Sequence, residues 1–196
     1  MADLSAGEIL SRLRAYQKPS TGLDQSFKKA AVAMLLRHSE GAGLEMLFIQ
    51  RAAHERDPWS GHMAFPGGRV DPGDATPLAA AVRETQEEIG VVLDPASLVA
   101  SVREIQASAR GAFLSMIVYP FVFMMPADAE ITTNHEVARV VWVPVSLILD
   151  PNQHTKFIHN FETRSAELKC IDYEGSRIWG MTYRMLENFR EAVQGL

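Results

Sequence analysis

Residues 67–91 read GGRVDPGDATPLAAAVRETQEEIGV, and no other window of the chain restricts its fold as strongly. Asp71-Pro72-Gly73-Asp74 is a turn cluster. Thr76 is a suitable helix cap and Pro77 suits the first helical position, while Gly90 supplies a left-handed stop. The expected helix therefore runs from about residue 76 to Gly90. On it Glu84, Glu87 and Glu88 stand at i, i+3 and i+4 and share one face. Leu78, Ala81, Val82 and Ile89 fall on another face and would anchor the helix to a sheet.

Three carboxylates on one face repel each other, and they sit towards the helix C-terminus, where the dipole disfavours negative charge. A divalent cation reverses both penalties, and hard oxygen donors select Mg²⁺ or Mn²⁺. Arg83 precedes Glu84 by one residue and Glu87 by four, so it is placed to pair with a ligand carboxylate and fix its orientation. Gly67 and Gly68 permit a close backbone approach to a metal or phosphate.

Around this window the apolar runs at 30–37 and 44–51, separated by a turn at 39–43, form an expected hairpin. Residues 51–61 are polar and irregular, and 62–65 are a short extended piece. Further strands are expected at 98–107, 116–124 and 137–143, a short helix at 145–149 and an amphipathic helix at 182–193. Ser5 and Glu8 have capping-box spacing at the start of a helix over 5–15. Strands and helices interleave without regular βα alternation, which favours an α/β protein with a mixed sheet packed between helices. The reading divides the chain into an N-terminal helix and linker, 1–22, and a main domain, 23–196.

The 196 residues carry a formal charge of −5 and no run of Lys and Arg, so binding to long nucleic acid is not expected. An acidic protein still binds a small anionic nucleotide when a metal and a few placed arginines supply positive charge. Cys170 is the only cysteine and is expected to be a buried apolar residue, which excludes an intrachain disulfide and fits a reducing, cytoplasmic setting. No secretory signal and no membrane-spanning apolar stretch are evident.

Residues 83–91, Arg-Glu-Thr-Gln-Glu-Glu-Ile-Gly-Val, match the second half of the signature G-x5-E-x7-R-E-U-x-E-E-x-G-U, in which U is a bulky apolar residue. The chain thereby resembles the Nudix hydrolases. Counting forward from Gly68 puts the first acidic position of the signature on Asp74, and counting back from Arg83 puts it on Ala75, so one extra residue precedes Arg83. That acidic position is expected to be peripheral. Thr85 replaces an apolar residue and is expected to loosen helix packing slightly. The resemblance implies an α/β/α sandwich and hydrolysis of a nucleoside diphosphate linked to some moiety X. It further implies Mg²⁺ or Mn²⁺ held by Glu84, Glu87, Glu88 and the backbone of Gly68, with Glu136 as general base or extra ligand. A homodimer is a further expectation by analogy.

Upstream, Arg51-Ala52, Arg56, Gly61 and Phe65-Pro66-Gly67-Gly68 resemble the additional signature of the coenzyme A pyrophosphatase branch, with four residues at 57–60 where three are usual. Segments 119–122 and 177–182 are also similar to that branch. The implied substrate is coenzyme A or acyl-coenzyme A, cleaved to 3′,5′-ADP and the corresponding 4′-phosphopantetheine. Arg51 and Arg56 would pair with the 3′-phosphate and Arg69 would contact the diphosphate, with Gly67 and Gly68 lining the site. On this reading the 3′-phosphate matters and the distal acyl group does not. The alternatives are a pyrophosphatase of nucleoside diphosphate sugars or ADP-ribose, and a non-catalytic nucleotide sensor.

Overall fold

In the computed structural model, residues 4–41, 43–54, 59–109, 112–161 and 164–195 are described. The first long strand, β1 (Lys28–Ser39), organises the rest. It pairs antiparallel with β2 (Gly43–Arg51), Leu36 opposite Met46, which is the expected hairpin. Further along, it pairs antiparallel with β4 (Gly67–Arg69), Ala31 opposite Gly68. On its other side it runs parallel to β7 (Ala112–Met124), from Lys28 beside Met116 to Leu36 beside Met124. The sheet is extended by β3 (Met63–Ala64) and β8 (Val137–Pro144) on β2, and by β5 (Leu98–Ser101) and β6 (Ile105–Ala109) on β7.

Successive strand residues point to opposite faces, and both faces of this mixed sheet are covered. On one face Ala31, Ala33, Leu35 and Phe123 pack with Ala80, Ala81 and Ile89 of α2 (Pro77–Ile89). On the other, Met34, Leu36, Phe48 and Val122 pack with α1 (Ala6–Ala15), α3 (Val145–Leu149) and α4 (Gly180–Gln194), through Leu13, Ile148 and Phe189 among others. The arrangement is an α/β/α sandwich. Burial from both sides is why residues 30–37 are apolar without alternation. The Ser5–Glu8 capping box forms as expected, with the Ser5 N–H donating to the Glu8 carboxylate at 2.9 Å.

Three expectations need correction. The strand expected over 98–107 is two strands, interrupted where the Val102 N–H donates to the Pro120 carbonyl. β7 begins at Ala112 rather than at 116, because its first half pairs with β6. A second, three-stranded antiparallel sheet was not foreseen: β9 (Thr155–Asn160), β10 (Ser165–Tyr173) and β11 (Ser176–Trp179). In β10 Glu167 and Lys169 point to solvent while Ala166, Leu168 and Cys170 point inward, a period-two signal diluted by charge. Its hairpin turns at Glu174-Gly175, both with positive φ (47° and 74°), as a tight two-residue turn requires.

His154 ties the second sheet to the core. Its Nδ1 lies 2.9 Å from the Tyr183 hydroxyl and its Nε2 lies 3.0 Å from the Ile148 carbonyl. A neutral imidazole satisfies both, donating from Nε2 and accepting at Nδ1. Burial, more than the Ile148 carbonyl that opposes it, holds its pKa below the ordinary 6.5. A depressed folded-state pKa means that the stabilisation is complete above 6.5 and is lost as pH falls towards the folded value. Wild type should therefore lose more Tm between pH 7.5 and pH 5 than His154→Gln, in thermal denaturation followed by circular dichroism. Parallel pH profiles would contradict this role.

Candidate active site

Local chemistry sets α2 firmly in place. Thr76 Oγ1 accepts from the Ala79 N–H at 3.2 Å, Pro77 opens the helix, and Gly90 closes it with φ 73°. The buried Ala80, Ala81 and Ile89 press one side onto the sheet, which brings the other side over β4. Thr85 does not loosen this packing: it is fully buried, and its hydroxyl donates to the Ala81 carbonyl at 2.7 Å.

The diglycine is forced by proximity. Gly67 has φ 152°, and a Cβ there would collide with the Ala31 carbonyl and with the Val32 Cα at 2.6 Å. A Cβ on Gly68 would overlap the Glu84 carboxylate. β4 thus brings bare backbone against the glutamates of α2. The Gly67 N–H donates to Glu88 Oε2 at 2.8 Å.

Glu88 is only 3% exposed, and burial raises its pKa to about 7, outweighing the Gly67 N–H and the charge of Arg51. Glu84 is raised as well, first by desolvation, against the pull of Arg83. The charge of Glu136 contributes to both shifts, so Glu136 lies within electrostatic reach of these carboxylates, in the loop before β8. That loop is fastened to the end of α2: Thr132 N–H donates to the Ile89 carbonyl at 3.0 Å and Asn134 N–H to the Glu88 carbonyl at 2.9 Å. Asn134 Oδ1 then accepts from the Glu136 N–H at 2.8 Å.

Arg83 joins the remaining acids. It binds Asp74 through two bonds, Nε to Oδ1 at 3.1 Å and Nη2 to Oδ2 at 2.9 Å. Its Nη1 bridges Glu84 at 2.9 Å and Glu87 at 3.0 Å, and Nη2 also reaches the Arg69 carbonyl at 3.1 Å. The Asp74 carboxyl is held below its ordinary range, mainly by the Arg83 hydrogen bonds. Asp74, not Ala75, therefore fills the acidic position of the signature, and it is central rather than peripheral. The extra residue is absorbed in the turn before Thr76. The forward count from Gly68 was the signal for this residue.

Among the described residues, no three His, Cys, Asp or Glu side chains are grouped to hold an ion. Glu87, whose side chain is 55% exposed, is engaged by Arg83. The donor chemistry nevertheless fits a hard divalent cation. The ionised forms of Glu84 and Glu88 are disfavoured by burial and by neighbouring acidic charge, and Gly68 brings backbone to Glu84 without a side chain between them.

A cavity of about 930 Å³ opens at the diglycine. Arg51, at the end of β2, and Arg69, at the end of β4, line it beside Gly67 and Gly68. Arg56 lies outside the described residues. The far wall comes from residues the sequence reading had not assigned to the site, including His159, Trp179 and Met181. The segment 177–182, similar to the coenzyme A branch, was the available signal. His62 packs against Trp179 with ring centroids 4.7 Å apart and planes tilted by 52°, a packing role consistent with its lack of metal-ligand spacing.

The NUDIX domain model matches residues 27–161. The chain is 28% identical over 181 residues to a protein of an Enterobacter species described as an uncharacterized Nudix hydrolase NudL, covering 92% of this chain and 90% of that one. It is 35% identical over 115 residues to an uncharacterized protein of Schizosaccharomyces pombe, of whose length it spans only 35%. A crystal structure of a MutT/nudix family protein from Enterococcus faecalis shares the fold, with a TM-score of 0.57 and 18% identity over 97% of this chain and 70% of that one. The chain belongs to the Nudix family, as a hydrolase of pyrophosphate bonds.

The raised pKa of Glu88 has a measurable consequence in metal-free protein. A carboxyl whose folded-state pKa lies above the ordinary 4.5 confers its stabilisation below 4.5 and loses it as pH rises through about 7. Glu88→Gln cannot ionise. In EDTA it should match wild type near pH 5 and be more stable at pH 8 by roughly 3 kcal/mol, about the free-energy equivalent of the shift. A wild-type Tm that does not fall between pH 5 and pH 8 would contradict the burial of this charge.

Proposed function

We propose that the chain hydrolyses the diphosphate of coenzyme A or an acyl-coenzyme A, with Mg²⁺ or Mn²⁺, to 3′,5′-ADP and the corresponding 4′-phosphopantetheine. The observation that carries this reading is the junction of two features. The glutamate face of α2 meets the diglycine, and the cavity beginning there is flanked by Arg51 and Arg69. Diphosphate at this junction would have bare backbone beneath it and the Arg69 guanidinium beside it, with Arg51 left to meet the 3′-phosphate.

Glu84, Glu87, Glu88 and the Gly68 carbonyl would hold the metal, which when bound neutralises diphosphate charge and acidifies a water. Arg83 orients Glu84 and Glu87, and Asp74 orients Arg83. The Glu136 carboxylate would take the proton from the attacking water. The new P–O bond then forms as the bridging P–O bond breaks and the leaving phosphate departs as an anion. The complete Arg83 network argues against a non-catalytic sensor, in which there would be no reason to hold these acids together around one guanidinium. No helix among the described residues is long and apolar enough to cross a membrane. The buried lone thiol of Cys170 supports a cytoplasmic placement, and a homodimer remains part of the proposal by analogy.

The test is a panel of coenzyme A, dephospho-coenzyme A, ADP-ribose and UDP-glucose with each metal. Coenzyme A should exceed dephospho-coenzyme A in kcat/KM by about tenfold or more, equivalent to a charge-assisted contact of about 1.5–3 kcal/mol. Arg51→Ala should erase that difference. Equal rates on the two compounds, with faster cleavage of ADP-ribose or UDP-glucose, would overturn the coenzyme A assignment and favour the sugar-nucleotide alternative.

A further inference from the structure

The cavity continues well past the diglycine. It runs between β6, the second sheet and the start of α4, and the part of its wall from Ala166 to Met185 lies beyond the stretch matched by the family domain. We propose that this arm binds a flexible aliphatic tail on the substrate, so that the enzyme favours diphosphate compounds carrying a fatty-acyl chain over those carrying a sugar or a bare thiol. The inference rests on the reading above and sharpens it. It also departs from the sequence-based expectation that the acyl group does not matter.

The arm is lined by Met63, Met116, Met181 and Met185, with Ala166 and Leu168 from β10. Methionine side chains are flexible and polarisable, and they conform to apolar ligands of varying length. Phe113, at the rim, is 67% exposed, a large apolar side chain left in water beside the opening.

Four polar groups in the wall are already engaged with the protein. Trp59 Nε1–H donates to the Ser108 carbonyl at 3.2 Å, and Thr182 Oγ1 donates to the Met63 carbonyl at 2.8 Å. The Ser108 N–H faces Met181 Sδ at 3.2 Å, and Arg184 Nη1 donates to the Gln106 carbonyl at 3.1 Å. Sugar hydroxyls in this arm would leave water with few partners to replace it, which is unfavourable. Methylenes lose nothing of that kind and gain by leaving water. Trp179, held between His62 and His159 with ring centroids 4.7 and 4.5 Å away, gives the arm a firm side wall.

The experiment measures kcat/KM for coenzyme A, acetyl-, octanoyl- and palmitoyl-coenzyme A below micellar concentrations, beside ADP-ribose and UDP-glucose. The octanoyl compound should exceed the acetyl compound by at least about tenfold, well within the roughly fourfold per methylene that full burial provides. Ala166→Trp, which fills the arm from β10, should bring that ratio close to one. A second readout needs neither metal nor turnover: octanoyl-pantetheine should change the tryptophan fluorescence of wild-type protein saturably and at lower concentration than acetyl-pantetheine. Cleavage of all the coenzyme A compounds at equal rates, or more slowly with longer chains, overturns the arm and leaves the diphosphate hydrolase standing. Failure to cleave any of the compounds overturns the substrate reading, and the fluorescence titration then decides the arm by itself.

Discussion

Carboxylates packed against bare backbone are the constraint on which the rest of this structure turns. Glu84 and Glu88 are drawn into the protein where their charged forms are disfavoured, and Glu136 adds a third charge of the same sign. Such a group persists only if the surrounding fold over-determines it. Here the over-determination is specific. Gly67 and Gly68 remove the side chains that would block the approach, and the Gly67 N–H gives Glu88 a donor. Arg83 gathers Asp74, Glu84 and Glu87 around one guanidinium, whose planar fork suits several carboxylates at once.

The sheet topology follows from the same need. β1 accepts β4 on the edge it also shares with β2, so the diglycine is laid directly across the middle of the sheet and under α2. The parallel pairing of β1 with β7 leads the chain to a loop that returns over the C-terminal end of α2 and presents Glu136. Elements distant in sequence thus converge on one short helix face, and the apolar clusters on both sides of the sheet keep their relative positions fixed.

The parts legible in the sequence were those with strong local codes. Thr76, Pro77 and Gly90 gave the limits of α2, and carboxylate spacing gave its functional face. The continuous apolar runs of β1 and β2 gave the hairpin. The second sheet was hidden because its strands alternate charged and apolar residues and carry no long apolar run. Without it the outer wall of the cavity was invisible, and so was any reason for the acyl portion of a substrate to matter. Asp74 was ambiguous for another reason: a one-residue insertion changes the count but not the chemistry, and only the fold shows that the turn before Thr76 absorbs it.

The most direct test of the account is the Glu87→Gln variant, assayed for Mg²⁺-dependent cleavage of coenzyme A and for Mn²⁺ binding by electron paramagnetic resonance. Glu87 is largely exposed, so the fold should be retained and the change confined to the carboxylate face. The account predicts a loss of turnover of about a hundredfold or more together with weakened Mn²⁺ binding, since an anionic ligand that positions the metal is removed. Wild-type turnover and unchanged Mn²⁺ affinity in a folded variant would contradict it.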